Sequence, residues 1–260
     1  MSFLVFFLFT NYEWVFWMNG IRQALALCVW LVAVRYIAEK RFWTYLALCI
    51  ASSMFHYSAA ILIILYPILR NSKDYFKSIK LQLLLLGVAF LIQSYFLFLL
   101  PKTEILLDVY KTLLGGGKAY GKTYGIEGLK NSYIESEGTN LVYYSKIIIN
   151  IIIIFYSQKL KDFYDTNKFT IIYFLFFIGL ITSYMFPIGY ISVTRPFRYF
   201  YIFETIMYAY FAYYLIKNKT PQNQVLFLIL IVLFIGVFLS SIAVASEDSH
   251  LIYQFFFDQD

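Results

Sequence analysis

The sequence predicts an all-α fold, a polytopic bundle of transmembrane helices with about six full spans plus a helical hairpin over 42–69. Three observations carry that prediction. First, 61% of the 260 residues are hydrophobic and only 14% are charged. A soluble domain runs nearer to about 45–50% apolar and about 25% charged. Second, the apolar residues fall in runs of membrane-crossing length, and mean hydropathy is +0.69. Third, Lys and Arg gather between the runs, as loop charges that orient helices do. This composition excludes a soluble enzyme, a disulfide-stapled secreted domain and a disordered tail. It reads as one integral membrane domain over 1–260.

Residues 1–9 are apolar but too short to span. No basic stretch precedes them and no small-residue cleavage site follows, so they do not read as a signal peptide. They read as the stub of a preceding helix, and the chain as an incomplete version of a longer protein. The run 21–38 is a clear span. The 28 apolar residues 42–69 would make a straight helix of about 42 Å, too long for the roughly 30 Å hydrocarbon core. Basic clusters flank them on both sides: Arg35, Lys40 and Arg41 before, and Arg70, Lys73, Lys77 and Lys80 after. Both clusters read as cytoplasmic, so the chain enters the membrane and returns. The expected hairpin has helices at 42–53 and 56–69, with its turn at Ser52–His56 and His56 in the outer half.

The spans 81–100, 141–156, 169–186, 199–216 and 224–244 then alternate in direction. The segment 101–140 becomes an external loop and 245–260 an external tail. On this map the inside carries 12 Lys/Arg and 4 Asp/Glu, and the outside 8 and 10. The net charge of +6 is therefore mostly a topology signal and calls for no nucleic acid partner. Cys28 and Cys49 lie inside apolar runs, lack metal or redox spacing, and read as packing residues.

The loop 101–140 holds seven of the twelve glycines and a series of tyrosines. Tyr110, Tyr120 and Tyr124 offer flat faces with a hydroxyl, which suits stacking on sugar rings. A merely solvated connector is the other reading. Gly115–Gly117 lacks the spacing of a phosphate-cradling loop.

Ionisable residues at membrane depth are costly and point to function. Arg22 opens the first span at its outer boundary. Arg195 and Arg198 flank Pro196 at the outer mouth of 199–216, against the positive-inside bias. Planar guanidinium groups donate paired hydrogen bonds to phosphate oxygens, so three at one level suit the diphosphate of a lipid carrier. Snorkelling to the headgroups is the alternative for Arg22. His56 has the chemistry of a general base near neutral pH, or is a packed structural residue. Glu204 and Lys146 lie one to two turns inside their helices, placed to pair with each other, or Glu204 to orient an arginine. No metal-ligand set is evident, and no cofactor is implied.

Two blocks carry a resemblance. Asn19-Gly20-Ile21-Arg22-Gln23-Ala24-Leu25-Ala26 is followed about 30 residues later by Phe55-His56-Tyr57-Ser58-Ala59-Ala60-Ile61, with Tyr66-Pro67. Together with the later Arg198-Tyr199-Phe200 and neighbouring Arg195, these resemble the EpsG family of exopolysaccharide polymerases, relatives of the Wzy O-antigen and capsule polymerases. The resemblance covers roughly 15–215. Family members usually carry additional N-terminal helices.

The resemblance implies a glycosyltransferase-type polymerase at the outer face of a bacterial inner membrane. It implies oligosaccharide repeat units on undecaprenyl diphosphate as substrate, with the lipid bilayer and other polysaccharide-export proteins as partners. His56 and Arg22 are then the expected catalytic residues, and Arg22, Arg195 and Arg198 the diphosphate ligands. Tyr110, Tyr120 and Tyr124 would hold sugars, with Glu204 and Lys146 in support. The alternatives are a flippase or transporter of lipid-linked sugars, a membrane O-acyltransferase, or a non-catalytic membrane fragment. A transporter calls for polar paths and internal repeats, and this sequence shows neither.

Overall fold

The structure is a computed structural model that describes residues 2–11, 20–95, 141–186 and 195–245. Among the described residues there are nine α-helices: α1 (Ser2–Thr10), α2 (Ile21–Ala38), α3 (Phe42–Phe55), α4 (Leu65–Leu69), α5 (Ile79–Ser94), α6 (Leu141–Tyr164), α7 (Asn167–Met185), α8 (Arg198–Lys217) and α9 (Pro221–Ala245). A 3-10 helix, Tyr57–Ile64, joins α3 to α4, and a single 3-10 turn, Arg195–Phe197, leads into α8. The fold is all-α.

Among the described residues, three helices are long and apolar enough to cross a membrane: Ile21–Ala38, Asn167–Met185 and Pro221–Ser240. The expectation of about six full spans meets shorter or more polar helices elsewhere. The described part of α5 is 16 residues, about 24 Å of helix. Helix α8 has membrane length but carries Glu204 and four tyrosines past its first turn. Helix α6 runs on to Tyr164, eight residues beyond the expected end. Its polar extension stays helical because it is held from the side: Gln158 donates to the Lys77 carbonyl and Lys161 reaches Asp74. The last helix starts at Pro221 rather than 224, since proline suits a first helical position, where its missing N–H is not needed. The expected external loop 101–140 and external tail 245–260 lie outside the described residues, apart from Ala245, which ends α9.

The hairpin forms, with a return leg that differs from expectation. A continuous α-helix over 56–69 is blocked by Pro67, which has no N–H and whose ring crowds the carbonyl of Ile63. The chain instead runs as 3-10 helix to Ile64 and as α-helix only over Leu65–Leu69. At about 2.0 Å rise per residue, the eight 3-10 residues stretch the leg. It thereby matches the 14-residue α3, about 21 Å long. Both legs fall short of about 30 Å. Tyr45 locks them together: it accepts from Trp30 Nε1 and donates to the Leu62 carbonyl at 2.5 Å.

Residues 2–10, too short to span, form α1 inside the bundle. Phe7 is fully buried, with its ring against Phe234 of α9 and Tyr208 of α8. Asn11 donates to Thr205 Oγ1 at 2.8 Å. Burying one such ring stabilises by about 1.5–3 kcal/mol in water. Outward, α9 presents Val225, Leu228, Ile229, Val232 and Leu239. An exposed apolar face of this extent suits hydrocarbon rather than water.

The Lys-rich turns share one end of the bundle, the end expected to be cytoplasmic. There Lys161 Nζ sits 2.9 Å from both Asp74 oxygens and donates to the Phe76 carbonyl. It also lies 4.4 Å from the Tyr173 ring centre. Burial pulls the Lys161 pKa below the ordinary lysine value, and Asp74 pulls it back only in part. Asp74→Ala is therefore expected to cost about 1–3 kcal/mol, because it strands a mostly buried ammonium. Thermal unfolding in detergent checks this. The double variant with Lys161→Met is expected to recover most of the loss.

Candidate functional site

The hairpin tip sits at the opposite end. α3 stops at Phe55 because His56 turns extended, at φ −150° and ψ 113°. Non-helical backbone at membrane depth must have its polar groups satisfied. Here His56 N donates to the Ser52 carbonyl, and the His56 carbonyl accepts from Ala59 N. The side chain of His56 is half-buried and stacks on Tyr57, with centroids 5.1 Å apart at 15°. Its Nδ1 lies 2.6 Å from Ser58 Oγ, and Ser58 Oγ lies 3.1 Å from the Tyr199 hydroxyl.

Two contacts set the level of this tip. Ser52 Oγ donates to the Ala26 carbonyl at 2.7 Å, pairing the end of α3 with the start of α2. Because the two helices are antiparallel, Arg22 and His56 each lie one turn beyond that contact, toward the same end. The Ser58–Tyr199 bond ties the tip to the first turn of α8, and so to Arg198. Trp30 packs edge-on against Tyr199, Phe200 and Phe203, joining α2 to α8 below the tip. The structure thus brings Arg22, His56 and Arg198 to one end of the bundle. Arg22 is exposed and Arg198 half-buried. Arg195 opens the 3-10 turn that leads into α8, and its side chain lies outside the described residues. Tyr110, Tyr120 and Tyr124 also lie outside them.

Gly179 of α7 positions the start of α8. A Cβ there would stand 2.6 Å from the Phe200 carbonyl oxygen. Only a glycine lets the two backbones approach this closely.

Glu204 lies one and a half turns below Arg198. Its Oε1 accepts from Asn150 Nδ2 at 2.5 Å and from the Tyr208 hydroxyl at 2.7 Å. Asn150 also donates to the Tyr184 hydroxyl at 3.0 Å. This polar clamp joins α6, α7 and α8. Among the described residues Glu204 forms no ion pair with Lys146, which lies on the Asn150 face of α6, one turn nearer its start. Among the described residues no cluster of three or more metal-ligating side chains forms.

Neither the Ser58–Tyr199 chain nor Asn150 stands out in the sequence as a site feature. Asn150 stands alone among seven isoleucines over 147–154. A single amide in such a run needs a partner, and this is the signal that the sequence carries for it.

Fold and site define a class: an all-α protein with membrane-length helices and an arginine–histidine cluster at one end of the bundle. The chain belongs to the EpsG family, whose model matches residues 1–256. That family is linked to exopolysaccharide synthesis. The match is wider than the 15–215 over which the motifs are recognisable. No curated protein and no solved structure matches the chain.

Proposed function

We propose that this chain is a polysaccharide polymerase of the bacterial inner membrane. It transfers a growing glycan from undecaprenyl diphosphate onto the next lipid-linked repeat unit at the outer face. The observation that carries this reading is the convergence of Arg22, His56 and Arg198 through the Ser52–Ala26 and Ser58–Tyr199 contacts.

The chemistry fits that set. The bond from the anomeric carbon to the diphosphate oxygen breaks, and its electron pair stays on the diphosphate. The acceptor hydroxyl oxygen forms the new glycosidic bond and gives up its proton. Negative charge therefore grows on the departing diphosphate, and Arg22, Arg195 and Arg198 neutralise it. Preorganised charge of this kind often does more than any other effect to lower a barrier. His56 acts at the reacting centre, and the hydrogen bond on its Nδ1 decides in which sense. The glycosyl–diphosphate linkage that breaks supplies the driving energy, so no nucleotide-binding domain is required. Tyr110, Tyr120 and Tyr124 stack on the sugars, and Glu204, held by Asn150 and Tyr208, supports the arginine level from below.

The test supplies lipid-linked repeat units to membranes carrying the protein or its Arg22→Ala, His56→Ala, Arg195→Ala and Arg198→Ala variants. Product length is read on a gel. The parent is expected to give a ladder and the variants shortened ladders or single units. Normal ladders in all four overturn the site. Transfer of a labelled acyl group in place of chain growth would instead mark an O-acyltransferase.

A further inference from the structure

Tyr199 is fully buried, and its hydroxyl has a single hydrogen-bond partner among the described residues, Ser58 Oγ at 3.1 Å. A buried hydroxyl proton left without an acceptor costs about 1–3 kcal/mol. Tyr199 therefore donates, and Ser58 accepts. The proton of Ser58 then has one acceptor in reach among the described residues, His56 Nδ1 at 2.6 Å. That separation also argues for an O–H donor, since N–H···O bonds lie at about 2.7–3.2 Å and O–H donors reach shorter. The chain runs in one direction, from Tyr199 to Ser58 to His56 Nδ1.

A neutral imidazole carries one proton. With Nδ1 accepting, that proton is on Nε2. We infer that Tyr199 and Ser58 are positioning residues that fix His56 as the Nε2–H tautomer, and that His56 serves the reaction as a hydrogen-bond donor rather than as a base. The second half of this rests on the polymerase reading. As the anomeric C–O bond breaks, Nε2–H donates to the departing diphosphate oxygen and keeps its proton. The proton released by the acceptor hydroxyl passes to the diphosphate itself. The opposite assignment, with a bare Nε2 acting as base, requires Nδ1–H to donate to Ser58. Either the Tyr199 or the Ser58 proton is then without an acceptor among the described residues.

The lock is tested without substrate. Full-length protein labelled with 15N-histidine contains only His56 and His250, and His250→Gln assigns them. Long-range proton–nitrogen spectra are expected to show His56 protonated on Nε2, with Nδ1 hydrogen-bonded. In Tyr199→Phe, which keeps the ring, Ser58 is free to turn, and the Nδ1–H form is expected to gain population. A wild-type spectrum with the proton on Nδ1, or a Tyr199→Phe spectrum unchanged from wild type, overturns the lock. Should Tyr199→Phe fail to fold, Ser58→Ala replaces it, and the Nδ1 resonance is expected to move as its donor is removed.

The role is tested separately. His56→Gln offers an N–H near the position of Nε2–H but cannot act as a base. It is expected to polymerise at least tenfold faster than His56→Ala. Equal loss in both overturns the donor role. A fixed tautomer combined with full activity in His56→Ala would leave the lock standing and overturn the polymerase site.

Discussion

Arg198→Ala is expected to slow chain elongation by about 10²–10³-fold, the cost of removing one preorganised donor from a developing oxyanion. Arg198 begins α8, directly ahead of the buried Tyr199 that ties the helix to the hairpin tip. The Ser58–Tyr199 bond keeps this first turn at the end of the bundle where His56 lies. Arg198→Lys keeps the charge but loses the planar fork, and a point charge does not replace paired donation to phosphate oxygens. It is expected to recover less than a tenth of the lost rate. Elongation is measured on lipid-linked units, with thermal unfolding as the control for folding. Elongation within threefold of the parent in both variants sinks the assignment of Arg198 to the diphosphate.

Gly179→Ala should damage stability and activity together. The added Cβ meets the Phe200 carbonyl oxygen at 2.6 Å and its carbon at 3.0 Å. These are backbone atoms, so no rotamer change relieves them, and α7 and α8 must part. Overpacking of this kind costs about 1–3 kcal/mol. The shift falls on the first turn of α8, where the Tyr199 hydroxyl must stay near Ser58. Tyr199 is therefore expected to lose its acceptor, and polymer length to fall even where the protein folds. Phe200→Ala does not rescue the variant, because the clash is with the main chain. A Gly179→Ala protein with unchanged unfolding temperature and a normal ladder overturns the account.

Much of the fold was legible because lipid imposes simple rules. Runs of apolar residues announced helices, and the flanking lysines and arginines at 35–41 and 70–80 required a hairpin between them. Helix ends were less legible. The last eight residues of α6 look like a loop in composition, and their helicity comes from Gln158 and Lys161 gripping the 71–78 segment. The 3-10 leg is legible only when Pro67 is taken as a block on the Ile63 carbonyl and not merely as part of a motif. At the site, Arg22, His56 and Arg198 stand out as polar residues where polar residues are costly. Ser58 and Tyr199 do not, because a serine and a tyrosine in an aromatic-rich membrane chain look ordinary. Only their juxtaposition, 141 residues apart in sequence, gives them a role.

The short hairpin has a consequence for the surrounding lipid. Ile50, Met54, Phe55, Ile61 and Ile64 are exposed on its two legs. A lipid-facing leg of about 21 Å beside a core of about 30 Å is a hydrophobic mismatch, which a bilayer relieves by thinning. The headgroup plane is then expected to dip beside the tip. On the polymerase reading proposed above, a polyprenyl carrier entering that dimple would bring its diphosphate down to the arginine level while its tail stays in hydrocarbon. On that same reading acyl-chain length is expected to control turnover: thicker membranes raise the cost of the dimple, and thinner ones remove it.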